Sequence, residues 1–410
     1  MLDFKSFIVE AADAKQNLHL THADEDLFER GDAGAEAAIE YITDFAQTVG
    51  KGEVQLTVKW DGAPAIFAGW DPLDGKFFVG TKSVFNASPK IYKTQKDITD
   101  NESGGKATKL KVALEELPKV GIPKNTVLQG DMMFTKGDQK YETIDNQRFI
   151  TVHPNTIVYA WPVESDIGKK IRNANMGIIW HTTYTGRGSL QDYRARFGVD
   201  VSKMKQTRTC WMDDAYFKGV DIAFSESEYR DLFSLTMKAK KKIGDFDKIV
   251  TVMNSIPSNA VGSGIKTYIN SKIRTGNLPD PAIAYNEYME YVKNYWEDKV
   301  IAKLKTDKSK EAKRAALKQL VSDINNVSHE LKNAFEYVDL ITKAKMILIT
   351  KLNLINNQRA FVLTSKGFKV TDPEGYVAIN SKKGEAVKFV DRLNFSHFNF
   401  SQEYIKGWQR

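Results

Sequence analysis

The chain has 410 residues, 42% hydrophobic and 11% aromatic, with a formal net charge of +7. That length exceeds a typical single domain, and the composition suits a packed core, so two domains are the default expectation. No apolar run is long enough for a membrane-spanning helix, the single cysteine (Cys210) excludes an internal disulfide or a cysteine zinc cluster, and the mild basicity permits a polyanionic partner without requiring one.

Met1–Lys5 lacks the basic-then-apolar layout of a signal peptide. Together with the lone cysteine, this gives the expectation of a cytoplasmic protein, in the host cytoplasm if the chain is viral. Met1 to Ala12 reads as a short helix, and Thr21 as the cap of a second, with Asp24, Glu25 and Asp26 in its first turn. Ala38, Ile39, Ile42, Phe45 and Val49 recur at helical spacing, so Ala35–Val49 is predicted helical. A β-rich block follows: Val54–Lys59, a hairpin of Ala65–Gly69 and Phe77–Val79 around Asp71-Pro72-Leu73-Asp74-Gly75, then Thr126–Leu128, Met132–Phe134, Thr156–Trp161 and Met176–Tyr184. After Gly188 the texture turns helical, over Glu226–Lys242, Pro281–Lys305 and Lys310–Ile355. Strand texture returns at Phe361–Thr364, Phe368–Thr371, Tyr376–Ile379 and Ala386–Val390. The economical arrangement is α+β. One sheet domain (1–187 plus 360–410) is interrupted by a helical insertion (188–359).

Four motifs stand at strand edges. Lys59-Trp60-Asp61-Gly62 offers an amine, a carboxylate two residues on and a glycine for a tight turn. Alone it is weak, since average residue usage supplies such a match in about one random chain in ten. Gly130-Asp131 sets a lone acid between apolar runs. Glu374-Gly375 precedes the apolar run Tyr376–Ile379. Lys388 has two apolar residues on either side, a setting in which an amine needs an anion.

In this order the motifs resemble the covalent nucleotidyltransferase superfamily of ATP-dependent DNA ligases, RNA ligases and capping enzymes, and are similar to bacteriophage proteins of this ligase-like kind. The resemblance covers roughly Lys51–Tyr184 and Phe361–Arg392. It implies a nucleotidyltransferase domain of antiparallel sheets, a lysine–AMP intermediate on Lys59, and ATP with Mg²⁺ or Mn²⁺ as cofactors. It further implies nucleotide contacts from Asp61, Gly62, Lys82, Trp180 (stacked on the base) and Glu374, phosphate binding by Lys388, and metal binding by Asp131 and Glu374. The chain departs from the pattern at Pro64 and at Val390, where a second lysine is usual; Lys382, Lys383 and Arg392 are the nearby cations. Too few residues follow Lys388 for a C-terminal oligonucleotide-binding barrel, which favours the RNA ligase layout and RNA or DNA ends as partners. Two other readings stay open: a ligase-like nucleic-acid-binding protein without catalysis, and an adenylyltransferase acting on a protein or small molecule.

The basic stretches Lys238–Lys242 and Lys303–Lys318 suit a phosphate backbone or a solvated helix face equally. Phosphate-loop, His-Glu-x2-His and Gly-x-Ser-x-Gly motifs are absent. His19 and His22 are spaced to share a helix face, but no third metal ligand stands out.

Overall fold

In the computed structural model, which describes residues 21–48, 54–216, 224–355, 360–380 and 385–407, the alternating runs become strands of three sheets. β1 (Val54–Lys59), β14 (Gly375–Asn380) and β15 (Glu385–Phe389) form a small sheet in the order β1–β14–β15. A seven-stranded sheet contains β2 (Ala65–Trp70), β3 (Phe77–Gly80), β4 (Ile91–Tyr92), β5 (Thr126–Thr135), β9 (Met176–Thr185), β10 (Arg194–Phe197) and β11 (Cys210–Asp214). Its order is β10–β9–β5–β2–β3–β4, with β11 on β9. The third sheet holds β6 (Lys140–Ile144), β7 (Gln147–Val152), β8 (Ile157–Pro162), β12 (Ala360–Thr364), β13 (Gly367–Thr371) and β16 (Tyr404–Ile405). Strand pairing is antiparallel except between β11 and β9. The class is α+β with mainly antiparallel sheets, as the sequence predicts.

The small sheet has two different faces, and the two-residue period of a strand explains why. Val58, Tyr376, Ala378, Val387 and Phe389 face outward into a buried core shared with the helices. Thr57, Lys59, Val377, Ile379 and Lys388 face inward to a cavity. The longer helices are α1 (Leu27–Thr48), α2 (Gly104–Glu116), α3 (Glu226–Lys240), α4 (Phe246–Asn254), α5 (Ile265–Arg274), α6 (Ala284–Tyr295), α7 (Asp307–Asn326) and α8 (Ser328–Ile355). All of these but α2 send residues into that shared core, among them Phe45, Leu232, Ile249, Ile269, Val292, Ile324 and Leu348. Burying side chains of this size stabilises by about 1.5–3 kcal/mol each. The helical region is therefore the outer layer of the sheet that carries Lys59, rather than a separate lobe.

Several boundaries differ from expectation. Thr21 does not cap a helix. The Lys388 N–H donates to the Thr21 carbonyl and the Ala23 N–H donates to the Lys388 carbonyl, so His22 forms an isolated parallel bridge to Lys388 at the edge of β15. The helix starts at Leu27, the Asp26 carbonyl accepting from the Glu29 and Arg30 N–H groups, while the acids before it pair with Lys345 (Asp24), Arg392 (Glu25) and Arg30 (Asp26). Residues 188–216 are not helical insertion; β10 and β11 there extend the seven-stranded sheet, and the described helices of the insertion begin at α3. The predicted helix Lys310–Ile355 is two helices, broken at Val327, where φ −112° and ψ 24° leave the helical region. The predicted helix at Met1–Ala12 lies outside the described residues.

Asp61 ties the motif turn to the third sheet. Its carboxylate accepts from Asn155 Nδ2 at 2.6 Å, Thr156 N at 2.7 Å and Ile157 N at 3.0 Å, while its own N–H donates to the Tyr159 hydroxyl at 2.7 Å. The next residues zip onto β5: Ala63 N donates to Met132 O, and Met132 N to Pro64 O. Removing the carboxylate leaves buried donors without partners, each of which costs about 1–3 kcal/mol. Asp61→Ala is expected to lower unfolding stability by roughly 2–4 kcal/mol in urea titration, with Asp61→Asn losing less. A neutral Asp61→Ala would contradict the clamp.

Candidate functional site

Lys59 is the last residue of β1 and stands opposite Gly375 in the register with β14. This brings its amine onto the carboxylate of Glu374, with which it forms an ion pair. Glu374 is only 8% exposed. Burial pushes its carboxyl up to about 7 against the pull of Lys59, and the nearby Asp61 and Asp131 add to the rise. On Lys59 burial acts to lower the pKa, but attraction and hydrogen bonding from Glu374, with Asp131 and Asp61 behind, outweigh it and leave the amine raised. Gly375 lets β15 approach: its φ is 152°, and a Cβ there would meet the Phe389 carbonyl at 2.4 Å.

Lys388 lies opposite Val377 on β15, on the same inward face as Lys59. Burial pushes its amine down to about 8, repulsion from Lys59 adds to this, and Glu374 pulls the other way. Two lysines and one deeply buried carboxylate thus converge on one side of the cavity.

The opposite wall comes from β5, β9 and β10. Asp131, Gln129, Ile179, His181, Thr182 and Phe197 line it, around a volume of about 280 Å³. A register shift makes this wall. Gln129 pairs with Thr182 and Gly130 with Trp180, so His181 is an extra residue bulged out of the ladder and aimed inward. Gly130 permits the close approach, since a Cβ there would meet Ile179 O at 2.5 Å. His181 Nε2 lies 3.8 Å from the Asp131 carboxylate, and Nδ1 is 2.9 Å from Thr182 Oγ1. The Tyr184 hydroxyl donates to Gln129 Oε1 at 2.7 Å, which leaves the Gln129 amide nitrogen as the donor end.

Of the residues singled out in the sequence, Lys59, Asp131 and Lys388 line this cavity, with Glu374 behind Lys59. Four are placed elsewhere. Trp180 does not face the cavity: it is fully buried in the apolar cluster that also holds Leu110 and Ala113 of α2, because strand alternation turns it away from Ile179 and the bulge gives the inward place to His181. The Asp61 carboxylate is saturated by the clamp to Asn155, Thr156 and Ile157. Gly62 is a packing residue, for a Cβ there would meet the Asp131 Cβ at 2.7 Å. Lys82 is exposed in a short 3₁₀ turn and does not line the cavity. Arg392 does not stand in for a second lysine beside Lys388, because it pairs with Glu25 and donates to Asn270. Val390 is buried core, and Lys382 and Lys383 lie outside the described residues. His22 is half-buried, and desolvation together with Arg392 pushes its pKa well down; His19 lies outside the described residues.

Gln129, Phe197 and Thr182 were not singled out in the sequence. Phe197 sits on a four-residue strand inside a stretch that reads as helical, and nothing local marks Gln129 or Thr182. The donor set fits a hard divalent cation loosely. Asp131 presents its carboxylate to the cavity while Glu374 is held by Lys59 and Asp61 by its clamp, and Mg²⁺ is content with one or two carboxylates plus waters and phosphate oxygens.

Lys388 offers a stability test. Its folded pKa, near 8, is below the ordinary 10.5, so its contribution to stability is present above 10.5 and lost as the pH falls through 8. Below 8 the fold therefore bears the full cost of burying the charge. Lys388→Met is expected to raise unfolding stability at pH 7 by on the order of 1 kcal/mol, with the gain fading as the pH climbs from about 8 toward 10.5. Urea titrations across that range check this, and a loss of stability at pH 7 would contradict it.

No curated protein and no solved structure matches the chain. A family model, described as a family of unknown function (DUF6267), matches residues 17–404. That is nearly the whole chain, which therefore belongs to this family.

Proposed function

We propose that the chain is an ATP-dependent nucleotidyltransferase that forms a lysine–AMP intermediate on Lys59 and passes the AMP to a polynucleotide 5′-phosphate end, as an RNA or DNA ligase does. The observation that supports this best is the convergence of Lys59, Glu374 and Lys388, carried by one small sheet, on a cavity whose facing wall holds Asp131.

In the first step the Lys59 nitrogen forms a bond to the α-phosphorus of ATP. The bond from that phosphorus to the bridging oxygen breaks, and its electron pair leaves with pyrophosphate. The amine must first give up a proton, and Glu374 is the adjacent group able to take it, with a carboxyl already raised to about 7 by burial. Lys388 stabilises charge on the α-phosphate oxygens, which is the main task in phosphoryl transfer. Asp131 would hold Mg²⁺, and the bound ion would supply further charge neutralisation. The register separates the two ends of the cavity. Asp131 and Ile179 pair near Lys59, while Gln129, Thr182 and Phe197 group further along the strands. The second group suits the nucleobase, with Phe197 for its face and the Gln129 amide for a ring acceptor.

Incubation with α-labelled ATP and Mg²⁺ is expected to place an acid-labile label on Lys59. Lys59→Ala is expected to abolish the label, and Phe197→Ala to weaken ATP binding roughly tenfold, whereas Trp180→Phe leaves it near wild type. An unlabelled wild type, or a labelled Lys59→Ala, rules the reading out.

A nucleic-acid acceptor is favoured by the surface of α7 and the turn before it. Lys303, Lys305, Lys308 and Lys318 are exposed and have no carboxylate partner among the described residues, and Arg314 reaches Glu297 only at 3.5 Å. Elsewhere on the helices lysines are commonly paired, as Lys242 is with Glu336, Lys272 with Glu287 and Lys351 with Glu228. Replacing Lys303, Lys305, Lys308 and Lys318 by glutamine is expected to flatten the salt dependence of oligonucleotide binding, lowering the log–log slope by about one for each phosphate no longer neutralised. An unchanged salt slope would place the nucleic acid elsewhere.

A further inference from the structure

His181 stands where β9 exchanges partners. Along one edge β9 pairs with β11 up to Trp180 and with β10 from Thr182 onward. On its other edge His181 is the residue left over by the register shift against β5. The backbone around it is nevertheless anchored: the Gly198 N–H donates to the His181 carbonyl at 2.7 Å, and the Ala215 N–H donates to the Trp180 carbonyl at 3.0 Å. A bulge gives up ladder pairing, and bulges of this kind re-aim one side chain toward a site. The imidazole is thus set in the cavity wall by two short strands rather than by a loop, and the proposed transfer chemistry makes no use of it.

The imidazole faces one acid. Its Nε2 is 3.8 Å from Asp131 Oδ1, outside hydrogen-bond range, and among the described residues no lysine or arginine forms an ion pair with Asp131. Two donors on one ion, each at about 2.1 Å, stand roughly 3.0–3.4 Å apart at octahedral to tetrahedral angles. The observed gap is slightly wider and closes with a small rotation of either side chain, both of which are partly exposed. The other ring nitrogen, Nδ1, has its own partner in Thr182 Oγ1 at 2.9 Å. A hydroxyl that accepts from Nδ1–H leaves Nε2 with a free lone pair, which is the tautomer that binds a metal. Glu374 and Asp61 are engaged with Lys59 and the third sheet, so His181 is the second donor within reach of Asp131.

We propose that His181 Nε2 and the Asp131 carboxylate together form a site for a divalent transition-metal ion, which takes Mn²⁺ in preference to Mg²⁺. The ion's other positions go to water and to phosphate oxygens in the cavity, across from Lys59 and Lys388. The nitrogen ligand sets the preference. Mg²⁺ is a hard ion that takes oxygen donors, whereas imidazole nitrogen suits the first-row transition ions. The use of the ion to neutralise phosphate charge rests on the nucleotidyltransferase reading; the site itself does not.

Titrating the full chain with Mn²⁺ alone and with Mg²⁺ alone, and reading the Mn²⁺ protein by pulsed electron paramagnetic resonance, tests this without any transfer step. Wild type is expected to show nitrogen hyperfine coupling from a directly bound imidazole, and isotope-labelled histidine is expected to change that coupling in the unaltered protein. His181→Ala is expected to abolish the coupling and to weaken Mn²⁺ binding at least about tenfold, while Mg²⁺ binding stays near wild type. Asp131→Asn is expected to weaken both ions, and Thr182→Val to weaken Mn²⁺ more than Mg²⁺. No Mn²⁺ binding by wild type, no nitrogen coupling, coupling that survives His181→Ala, or equal loss of both ions in that variant would overturn the proposal. Coupling from His181 in a protein whose Lys59 takes no label from ATP keeps the metal site and removes the nucleotidyltransferase reading; a labelled Lys59 without the coupling does the reverse.

Discussion

A lysine placed between packed sheets must find a countercharge, and most of the site follows from how Lys59 finds one. An isolated buried ammonium is far more costly than a paired one. Here the partner is Glu374, brought alongside by the antiparallel register that sets Lys59 against Gly375. That pairing fixes β14 on β1, β14 places β15, and β15 delivers Lys388 to the same face. The outer face of the same strands is apolar and is closed by the helices. One alternation therefore produces both the charged cavity and the core that supports it.

The pair also sets the electrostatic state of the resting site. Lys59 is held charged by Glu374, while Lys388 is easier to deprotonate because of burial and its neighbour Lys59. For the proposed chemistry this is a guarded nucleophile: the amine stays protonated until an incoming polyanion changes the balance of charge around it. The proton has a short path, since the carboxyl that restrains the amine is itself raised to about 7 by burial. Asp61 takes no part in this exchange. Its hydrogen bonds go to the third sheet and hold the turn in place, while its charge adds to the rise of both Lys59 and Glu374.

The elements with strong local periodicity were legible in the sequence. β1, the β2–β3 hairpin, β9 and β12 to β15 fall close to where alternation and turn residues put them. Lys59, Glu374 and Lys388 were legible too, because charged residues flanked by apolar runs are conspicuous. What was not legible depends on register. Trp180 and His181 are adjacent letters, and only the bulge between β5 and β9 decides which faces the cavity. Asp61 has the chemistry of a ligand but is consumed by backbone donors nearly a hundred residues away, at Thr156 and Ile157. β10 and β11 are too short to announce themselves, and they exist because β9 offers edges to pair with. Thr21–Ala23 looks like a helix start until β15 is present to receive it.

The small sheet is built from distant parts of the chain. Thr57 and Val377 face each other across 320 residues of sequence. During synthesis β1 therefore emerges long before the strand it pairs with. Until then β1 has only its bridge to Tyr216 to hold it, through the translation of most of the helical layer. Pairings of such long sequence separation form slowly and leave edges open to wrong partners. The Lys59–Glu374 pair and its neighbour Lys388 consequently cannot be assembled on a nascent chain that lacks β14 and β15, and the arrival of those two strands comes only after most of the helical layer has been made.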